Sequence, residues 1–382
     1  MAASTTHFRV GNGDMTLVEL ESGRTILIDI RIRADADDPD GEAPDVAAQL
    51  RSRLKRDEND CLYVDAFLLT HPDADHICGL RNHFHLGTPE GWSKSSDKIL
   101  IREMWSSPII FRRANRKSHI LCDDAAAWAT EARRRVAYFK QWGFANAGNR
   151  IKVLGEDIDR KTDALGAILI KADETFSTID GAFDSSFSAR LLGPLPPADE
   201  AEEEVLSKND SSVIIQLTLA SGNQPQAARY LIGGDAEVAI WERIWAKHKL
   251  VPDVLAYDIL IAPHHCSWHS LSWDSWSKKR EEAKVSADAR SALAQARPGA
   301  VVIASSKPVK DDESDPPCIR AKREYVGIVK PVGGEFRCVS DGGGDEPLVV
   351  ETNWAGPKLK RAGLIGAGLY ATGVGSEALA HG

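Results

Sequence analysis

The stretch Leu69-Thr70-His71-Pro72-Asp73-Ala74-Asp75-His76-Ile77 places two imidazoles and two carboxylates within six positions, directly after the apolar run Ala66-Phe67-Leu68-Leu69. An apolar run that ends in such a cluster predicts a buried strand with charged side chains at its carboxyl end. Buried carboxylates lose free energy to desolvation unless a positive charge compensates them, and a divalent cation does this best. The stretch therefore predicts a metal site.

The same residues also fit a polar loop in which aspartates cap a helix that begins near Gly79-Leu80-Arg81. Helix caps do not require histidines on both sides of the carboxylates, whereas imidazole and carboxylate together are typical ligands of divalent metals. We therefore favour the metal site over the capping loop.

The spacing of these residues resembles the metallo-β-lactamase superfamily, which has His-x-His-x-Asp-His at this place. Asp73 stands where that pattern has its second histidine. The variant with a carboxylate there, followed by Ile77-Cys78-Gly79-Leu80, is similar to the hydrolase domain of the bacterial competence DNA-uptake protein ComEC, in which a glycine replaces Cys78.

Four further regions resemble the same family and follow its order along most of the chain. They are Val10–Met15 with Thr25–Asp29, Lys208–Ile215, Tyr230–Glu237 and Ile259–Ser267. The resemblance implies a mixed α/β fold, the four-layer αββα sandwich of the metallo-β-lactamase superfamily. In that fold the metal ligands come from loops at one edge of two sheets, so residues far apart in sequence can meet.

The resemblance also implies two divalent cations. The first would be held by His71, Asp73 and Asp235, and the second by Asp75, His76, Asp235 and His265. Catalysis would depend on Asp75, Asp235 and His265, with a metal-activated water as the nucleophile. Because Asp73 and Asn209 replace imidazoles of the family pattern, we expect Mn²⁺ or Mg²⁺ to be favoured, although Zn²⁺ would also bind.

Two of these regions also indicate a site from their residues alone. Asp235 follows an apolar run and two glycines, which suits a sharp turn that aims one carboxylate into a site, although a turn aspartate fits equally well. His264 and His265 follow the apolar Ile259–Ile261. Since adjacent residues of a strand point to opposite faces, we expect only one of them, His265, to face the metals.

A second group of residues is predicted to contact the substrate. It comprises Asn209, Ser212, His264, Ser267, Arg133, Arg134 and Arg135. His264 and Ser267 are candidates for contacts to a phosphate, and Asn209 for orienting the substrate. The basic runs at 112–117 and 133–135 are candidates for a nucleic-acid contact, although solvated helix faces explain most runs of this kind.

The favoured substrate is a phosphodiester in DNA, because the ComEC-like variant is associated with nuclease activity. A stand-alone nuclease of this sort would suit defence against foreign DNA, including phage DNA. A small nucleotide, including a cyclic one, is the alternative substrate, and the net charge of −9 tolerates it better. The third alternative is a non-catalytic binding module that keeps its metals for structure.

The chain is expected to form one hydrolase domain over residues 1–355, followed by a Gly/Ala-rich tail at 356–382. Residues 111–205 depart from the family pattern and are predicted to be an insertion that covers the site as a lid. The acidic run at 199–204 would mimic phosphates and keep the site inactive until a partner protein or a protease acts on it.

A cytoplasmic location is expected. No secretory segment follows Met1, and no apolar run is long enough to span a bilayer, so no membrane contact is expected. The six cysteines have no paired spacing, which indicates reduced thiols.

Overall fold

The computed structural model describes residues 2–36, 41, 43–111, 120–157, 162–196, 209–341 and 344–360. Three regions discussed above lie outside these residues: the basic run at 112–117, the acidic run at 199–204 and the chain from residue 361 onward. The roles predicted for them therefore stay predictions.

The described residues form strands along the whole chain. In the first half they are β1 Ala3–His7, β2 Thr16–Glu19, β3 Thr25–Ile28, β4 Ile30–Arg31, β5 Lys55–Arg56, β6 Leu62–Leu69, β7 Phe84–His85, β8 Ile99–Ser106, β9 Arg150–Leu154 and β10 Leu169–Ile170. In the second half they are β11 Thr175–Phe176, β12 Thr178–Ile179, β13 Ala182–Phe183, β14 Phe187–Gly193, β15 Ile214–Ser221, β16 Gln224–Ile232, β17 Tyr257–Ile261, β18 Ala296–Ala304, β19 Glu335–Cys338, β20 Leu348–Asn353 and β21 Gly356–Leu359.

Two large mixed sheets contain most of these strands. The first has the order β10-β9-β8-β6-β3-β2-β1-β20-β21, and the second has the order β11-β14-β15-β16-β17-β18-β19. Strands β3, β6, β8 and β9 run parallel in the first sheet, and β16 to β19 run parallel in the second. Each sheet therefore gathers the carboxyl ends of several strands at one edge, where loops carry functional side chains.

Helices cover the outer faces of both sheets. They are α1 Val46–Arg51, α2 Ala74–Ile77, α3 Leu80–His83, α4 Asp123–Trp142, α5 Val238–His248, α6 Pro263–Cys266, α7 Trp276–Lys279, α8 Ala287–Leu293 and α9 Ile319–Val329. Within the described ranges, none of them is both long enough and apolar enough to cross a bilayer.

Three apolar layers hold the fold together. Alternate residues of β6 point to opposite faces of the first sheet, so that Phe67 packs towards α4 and Leu68 packs towards the second sheet. Leu68 lies in the same buried cluster as Ile232 and Ile259 of the second sheet. A third cluster joins the second sheet to α5, α8 and α9. The predicted four-layer αββα sandwich is therefore confirmed.

The described part of residues 111–205 differs from the predicted insertion. Helix α4 connects two parallel neighbours of the first sheet, β8 and β9. Its residues Trp128 and Ala132 are buried in the outer layer of the sandwich. Helix α4 packs in the core because its small and aromatic residues repeat on one face between the arginines, and the lid stays a prediction for the rest of residues 111–205.

The last described strand also begins inside the predicted tail. Strand β21 pairs antiparallel with β20, which in turn pairs with β1. Residues 356–359 therefore belong to the first sheet.

Arg135 shows that α4 uses even a charged residue for packing. Its side chain is fully buried, and its Nε donates to Glu131 Oε1 at 2.8 Å. Its two terminal nitrogens donate to the carbonyl oxygens of Ile101 and Arg150, each at 3.0 Å. The guanidinium thereby fastens the helix to β8 and β9.

We expect Arg135→Ala to lower the free energy of unfolding by about 2–4 kcal/mol, because the substitution leaves two carbonyl oxygens without their donor and removes one of the two arginines that bind the buried Glu131 carboxylate. Arg133 on the same helix is exposed and donates a single bond to the Ile110 carbonyl, so Arg133→Ala is the matched control and should cost about 1 kcal/mol. Urea unfolding of both variants measures the difference. Equal stabilities would contradict the structural role of Arg135.

Candidate metal centre

Loops from both sheets meet at one edge of the sandwich. His71 to His76 follow β6, Asp29 follows β3, and Asp14 lies in the loop between β1 and β2. From the second sheet, Asp235 follows β16 and His265 follows β17. The edge thus collects imidazoles and carboxylates from positions more than 200 residues apart.

Asp235 lies at the centre of this cluster and is buried. Its Oδ1 is 3.1 Å from His76 Nε2. Its Oδ2 is 3.6 Å from His71 Nε2, 3.5 Å from His265 Nε2 and 3.7 Å from His264 Nε2. One carboxylate is therefore shared by four imidazoles, which is the arrangement expected of a group that bridges two ions.

Asp73 and Asp75 flank the histidines on the open side of the cluster. Asp73 Oδ2 is 3.6 Å from His71 Nε2, and Asp75 Oδ2 is 3.4 Å from His265 Nε2. The structure thus brings together all six residues that the sequence predicted as metal ligands.

Asp14 is a member of the cluster that the sequence analysis did not assign. It is buried, and its carboxylate lies 3.8 Å from His265 Nδ1 and 3.9 Å from His76 Nδ1. Ligand atoms of Asp14, His76, Asp235 and His265 all lie within 4.8 Å of one another. Its place in the family-like segment Val10–Met15 was the available signal.

Asp29, also unassigned from sequence, orients the histidines. Its carboxylate accepts from Thr70 Oγ1 at 2.6 Å and from the Thr70 amide at 2.7 Å, and it lies 2.8 Å from His76 Nδ1. The Thr70 hydroxyl is also 3.1 Å from His71 Nδ1. Such contacts to the far ring nitrogen are the usual way in which proteins aim an imidazole at a metal.

The donor atoms fit a divalent cation. Among the described residues, His71 Nε2, His76 Nε2, His265 Nε2 and Asp235 Oδ1 are buried and have no hydrogen-bond partner. Two donors at about 2.1 Å from one tetrahedral ion would stand about 3.4 Å apart. The observed separations of 3.1–3.6 Å around Asp235 match that spacing, although the atoms are not aligned for hydrogen bonds.

The pKa values of the clustered side chains indicate that the buried carboxylates require compensating positive charge. Burial opposes ionisation of His76, yet the carboxylates of Asp235 and Asp29 outweigh it and raise the pKa of His76 well above its usual value. Burial would raise the pKa of Asp235, but His76 and His265 hold it well below its usual value. The pKa of His71 is lowered by burial and by its neighbour His76, which keeps that imidazole neutral, as a ligand must be.

The backbone around His264 and His265 differs from the predicted strand. Strand β17 ends at Ile261, and His264, His265 and Cys266 adopt left-handed φ angles of 51°, 53° and 68°. The alternation of strand side chains therefore does not apply, and both imidazoles face Asp235. The expectation that only one of them would do so was wrong.

A close approach of backbones holds this segment against Asp235. Gly234 has φ 50°, and a Cβ there would lie 3.0 Å from the side chains of Ser212 and Thr70. The Gly234 carbonyl accepts from the His264 amide at 3.0 Å. The glycine predicted to permit a sharp turn thus also joins the β6, β15 and β17 loops.

Two predicted substrate contacts have internal roles instead. Ser212 is buried, and its hydroxyl accepts from the Asp235 amide at 3.1 Å. Ser267 is also buried, and its hydroxyl donates to Asp315 Oδ1 at 2.7 Å and accepts from the His269 amide. Both serines position backbone beside the cluster, and the substrate contacts predicted for them stay predictions.

Asn209 and His264 lie beside each other at the open side. Asn209 Nδ2 donates to Glu237 Oε1 at 3.1 Å, and His264 Nδ1 is 3.7 Å from the same oxygen. Glu237 was not assigned from sequence, although it stands two residues after Asp235. The predicted roles of Asn209 and His264 as substrate contacts stay predictions.

Two arginines of the basic run on α4 bind groups within the protein, and the nucleic-acid contact predicted for this run stays a prediction. Arg134 donates to Glu131 and to Asn149 Oδ1, and Arg135 is buried as described above. Asn149 directly precedes β9, so Arg134 lies at the edge of the sheet opposite to the carboxyl ends that carry the cluster. Arg133 is exposed and donates to the carbonyl oxygen of Ile110, in the segment that follows β8.

No family model and no curated protein matches the chain. Among solved structures, the chain is similar to that of unliganded yeast PDE1, with a TM-score of 0.40 and 12% identity over 88% of this chain and 98% of that chain. A similarity at this level does not assign an activity to the chain.

We expect the purified protein to bind two divalent ions per chain, and Asp235→Asn to lose most of this binding because the variant removes the charge shared by four imidazoles. Asp29→Asn should weaken metal binding by about 10–100-fold, since it releases His76 from its orienting contact. Elemental analysis and metal titration measure both effects.

Asp123→Asn is the matched control, because the Asp123 side chain is 81% exposed and lies outside the cluster. Circular dichroism should show that all three variants fold. Full metal content in the Asp235→Asn protein would contradict the metal centre.

Proposed function

We propose that the chain is a metal-dependent phosphodiester hydrolase, with DNA as the first candidate substrate. The observation that carries this proposal is the single buried carboxylate of Asp235 shared by imidazoles from both sheets, with Asp73 and Asp75 beside it. A pair of divalent ions across such a carboxylate suits in-line displacement at phosphorus.

We assign the first ion to His71, Asp73 and Asp235, and the second to Asp75, His76, Asp235 and His265. When bound, the ions would lower the pKa of a water molecule and neutralise the oxygens of the reacting phosphate. Asp14 lies close enough to His76 and His265 to contribute to the second ion.

The chain's own residues would orient the reaction. Asp29 and Thr70 fix the two histidines that follow β6, and Ser212 fixes the backbone of Asp235. The side chains of Asp75 and His264 are 35% and 18% exposed, whereas the remaining imidazoles are buried. The substrate would therefore enter on the side where these two residues reach solvent.

A small nucleotide is the second candidate substrate. Arg134 and Arg135 are engaged inside the protein, and the net charge of −9 opposes binding of a long polyanion. Both observations favour a small phosphodiester over DNA, while the chemistry at the metals would be the same.

The two substrates can be separated with one set of assays. With manganese we expect cleavage of DNA and of bis(4-nitrophenyl) phosphate, and loss of both activities to background in Asp75→Ala, Asp235→Ala and His265→Ala. Turnover of a cyclic dinucleotide or of the small diester without cleavage of any nucleic acid would assign the second candidate. Bound metals with no diester hydrolysis would contradict the phosphodiesterase proposal.

The identity of the metal depends on Asp73. Because imidazole favours zinc and carboxylate favours harder ions, Asp73→His should raise zinc affinity and lower manganese-supported turnover by about tenfold each. Asp123→His is the control for adding a histidine at an exposed position. Competition between the two metals, measured by titration, should change only in the first variant; an unchanged profile would place Asp73 outside the metal's ligands.

A further inference from the structure

Arg31 lies near the candidate metal centre, on the side of Asp75. It is the last residue of β4, the strand that follows Asp29, and its side chain passes over the backbone of Gly13. A Cβ at Gly13 would lie 2.3 Å from Arg31 Cδ and 2.7 Å from the Asp75 carbonyl oxygen. Only a residue without a side chain leaves room for Arg31 and Asp75 to lie on the same side of this loop.

Lys307 approaches the same loop from the second sheet. A Cβ at Gly11 would lie 3.7 Å from Arg31 Nη1 and 4.0 Å from Lys307 Cε. Asn12 Oδ1 accepts from the Lys307 amide at 2.9 Å, and the Ser305 hydroxyl donates to the Gly13 carbonyl at 2.6 Å. These contacts fix the loop so that two cationic side chains flank it.

The guanidinium of Arg31 has donors to spare. Its one hydrogen bond within the described residues is from Nη1 to the Val10 carbonyl, at 3.4 Å, and no carboxylate there forms an ion pair with it. A guanidinium has five N–H donors. Arg33, two residues later, pairs with Asp35 at 3.1 Å, so an unpaired arginine is not a general feature of this segment.

Asp75 is close enough to influence Arg31 without pairing with it. Burial lowers the pKa of Arg31, and Asp75 is the carboxylate that opposes this most. The half-buried guanidinium of Arg31 thus lies near Asp75, a proposed ligand of the second ion, and the exposed side chain of Lys307 reaches the same loop at Gly11.

We infer that Arg31 and Lys307 bind an anionic oxygen of the substrate next to the metal centre, and that the substrate is therefore a phosphate ester rather than a neutral ester. This inference rests on the proposed function and adds a binding site to it. Arginine suits this role because its planar donors engage two oxygens of one phosphate, whereas lysine supplies a point charge. Arg31 is then the main contact, and Lys307 strengthens the local field.

The test compares Arg31→Gln, Lys307→Gln and Arg31→Lys with Arg33→Gln as the matched control. Binding of inorganic phosphate to the manganese-loaded proteins is measured by calorimetry. Loss of a charged hydrogen bond should weaken it about tenfold in Arg31→Gln, and the loss in Lys307→Gln should be smaller. Arg31→Lys should recover part of the affinity, and Arg33→Gln should bind as the wild type does.

The KM for bis(4-nitrophenyl) phosphate should rise in Arg31→Gln by a similar factor, with metal content unchanged by elemental analysis. Wild-type phosphate affinity and KM in Arg31→Gln would overturn this inference while diester hydrolysis still supported the proposed function. Phosphate binding that depends on Arg31 in a protein that hydrolyses no diester would support the anion site and contradict the proposed function.

Discussion

The buried carboxylate of Asp235 is the constraint on which the rest of the site depends. A charge removed from water must be compensated nearby, and here the compensation comes from imidazoles on loops of both sheets. His71 and His76 lie on a loop of the first sheet and His265 lies on a loop of the second, so the cluster connects the two sheets. A cation bound at this cluster would therefore contact loops of both sheets.

Much of the fold and the centre was predictable because local patterns encode both. An apolar run followed by alternating imidazoles and carboxylates indicates a strand end and a metal site, whatever the rest of the chain does. The grouping of Asp235 and His265 with His71 required the order of motifs along the chain, since no local pattern states which strand ends are neighbours.

The remaining features depend on contacts between distant residues. The composition of the run at 133–135 does not indicate whether its side chains face solvent or a buried glutamate. The environment of Arg134 and Arg135 follows from the position of Glu131. The hydroxyls of Ser212 and Ser267 likewise acquire their roles from Asp235 and Asp315. Asp14 and Asp29 belong to the family-like segments near the N-terminus. Those segments do not indicate which of their carboxylates lies beside an imidazole.

The left-handed backbone of His264, His265 and Cys266 has a consequence for how a ligand would meet this site. Three successive residues with side chains in this conformation each cost of order 1–2 kcal/mol, and folding must supply that free energy. Side chains that the backbone holds in this way have little conformational entropy to lose when they bind a ligand. The protein exchanges global stability for a preorganised receptor.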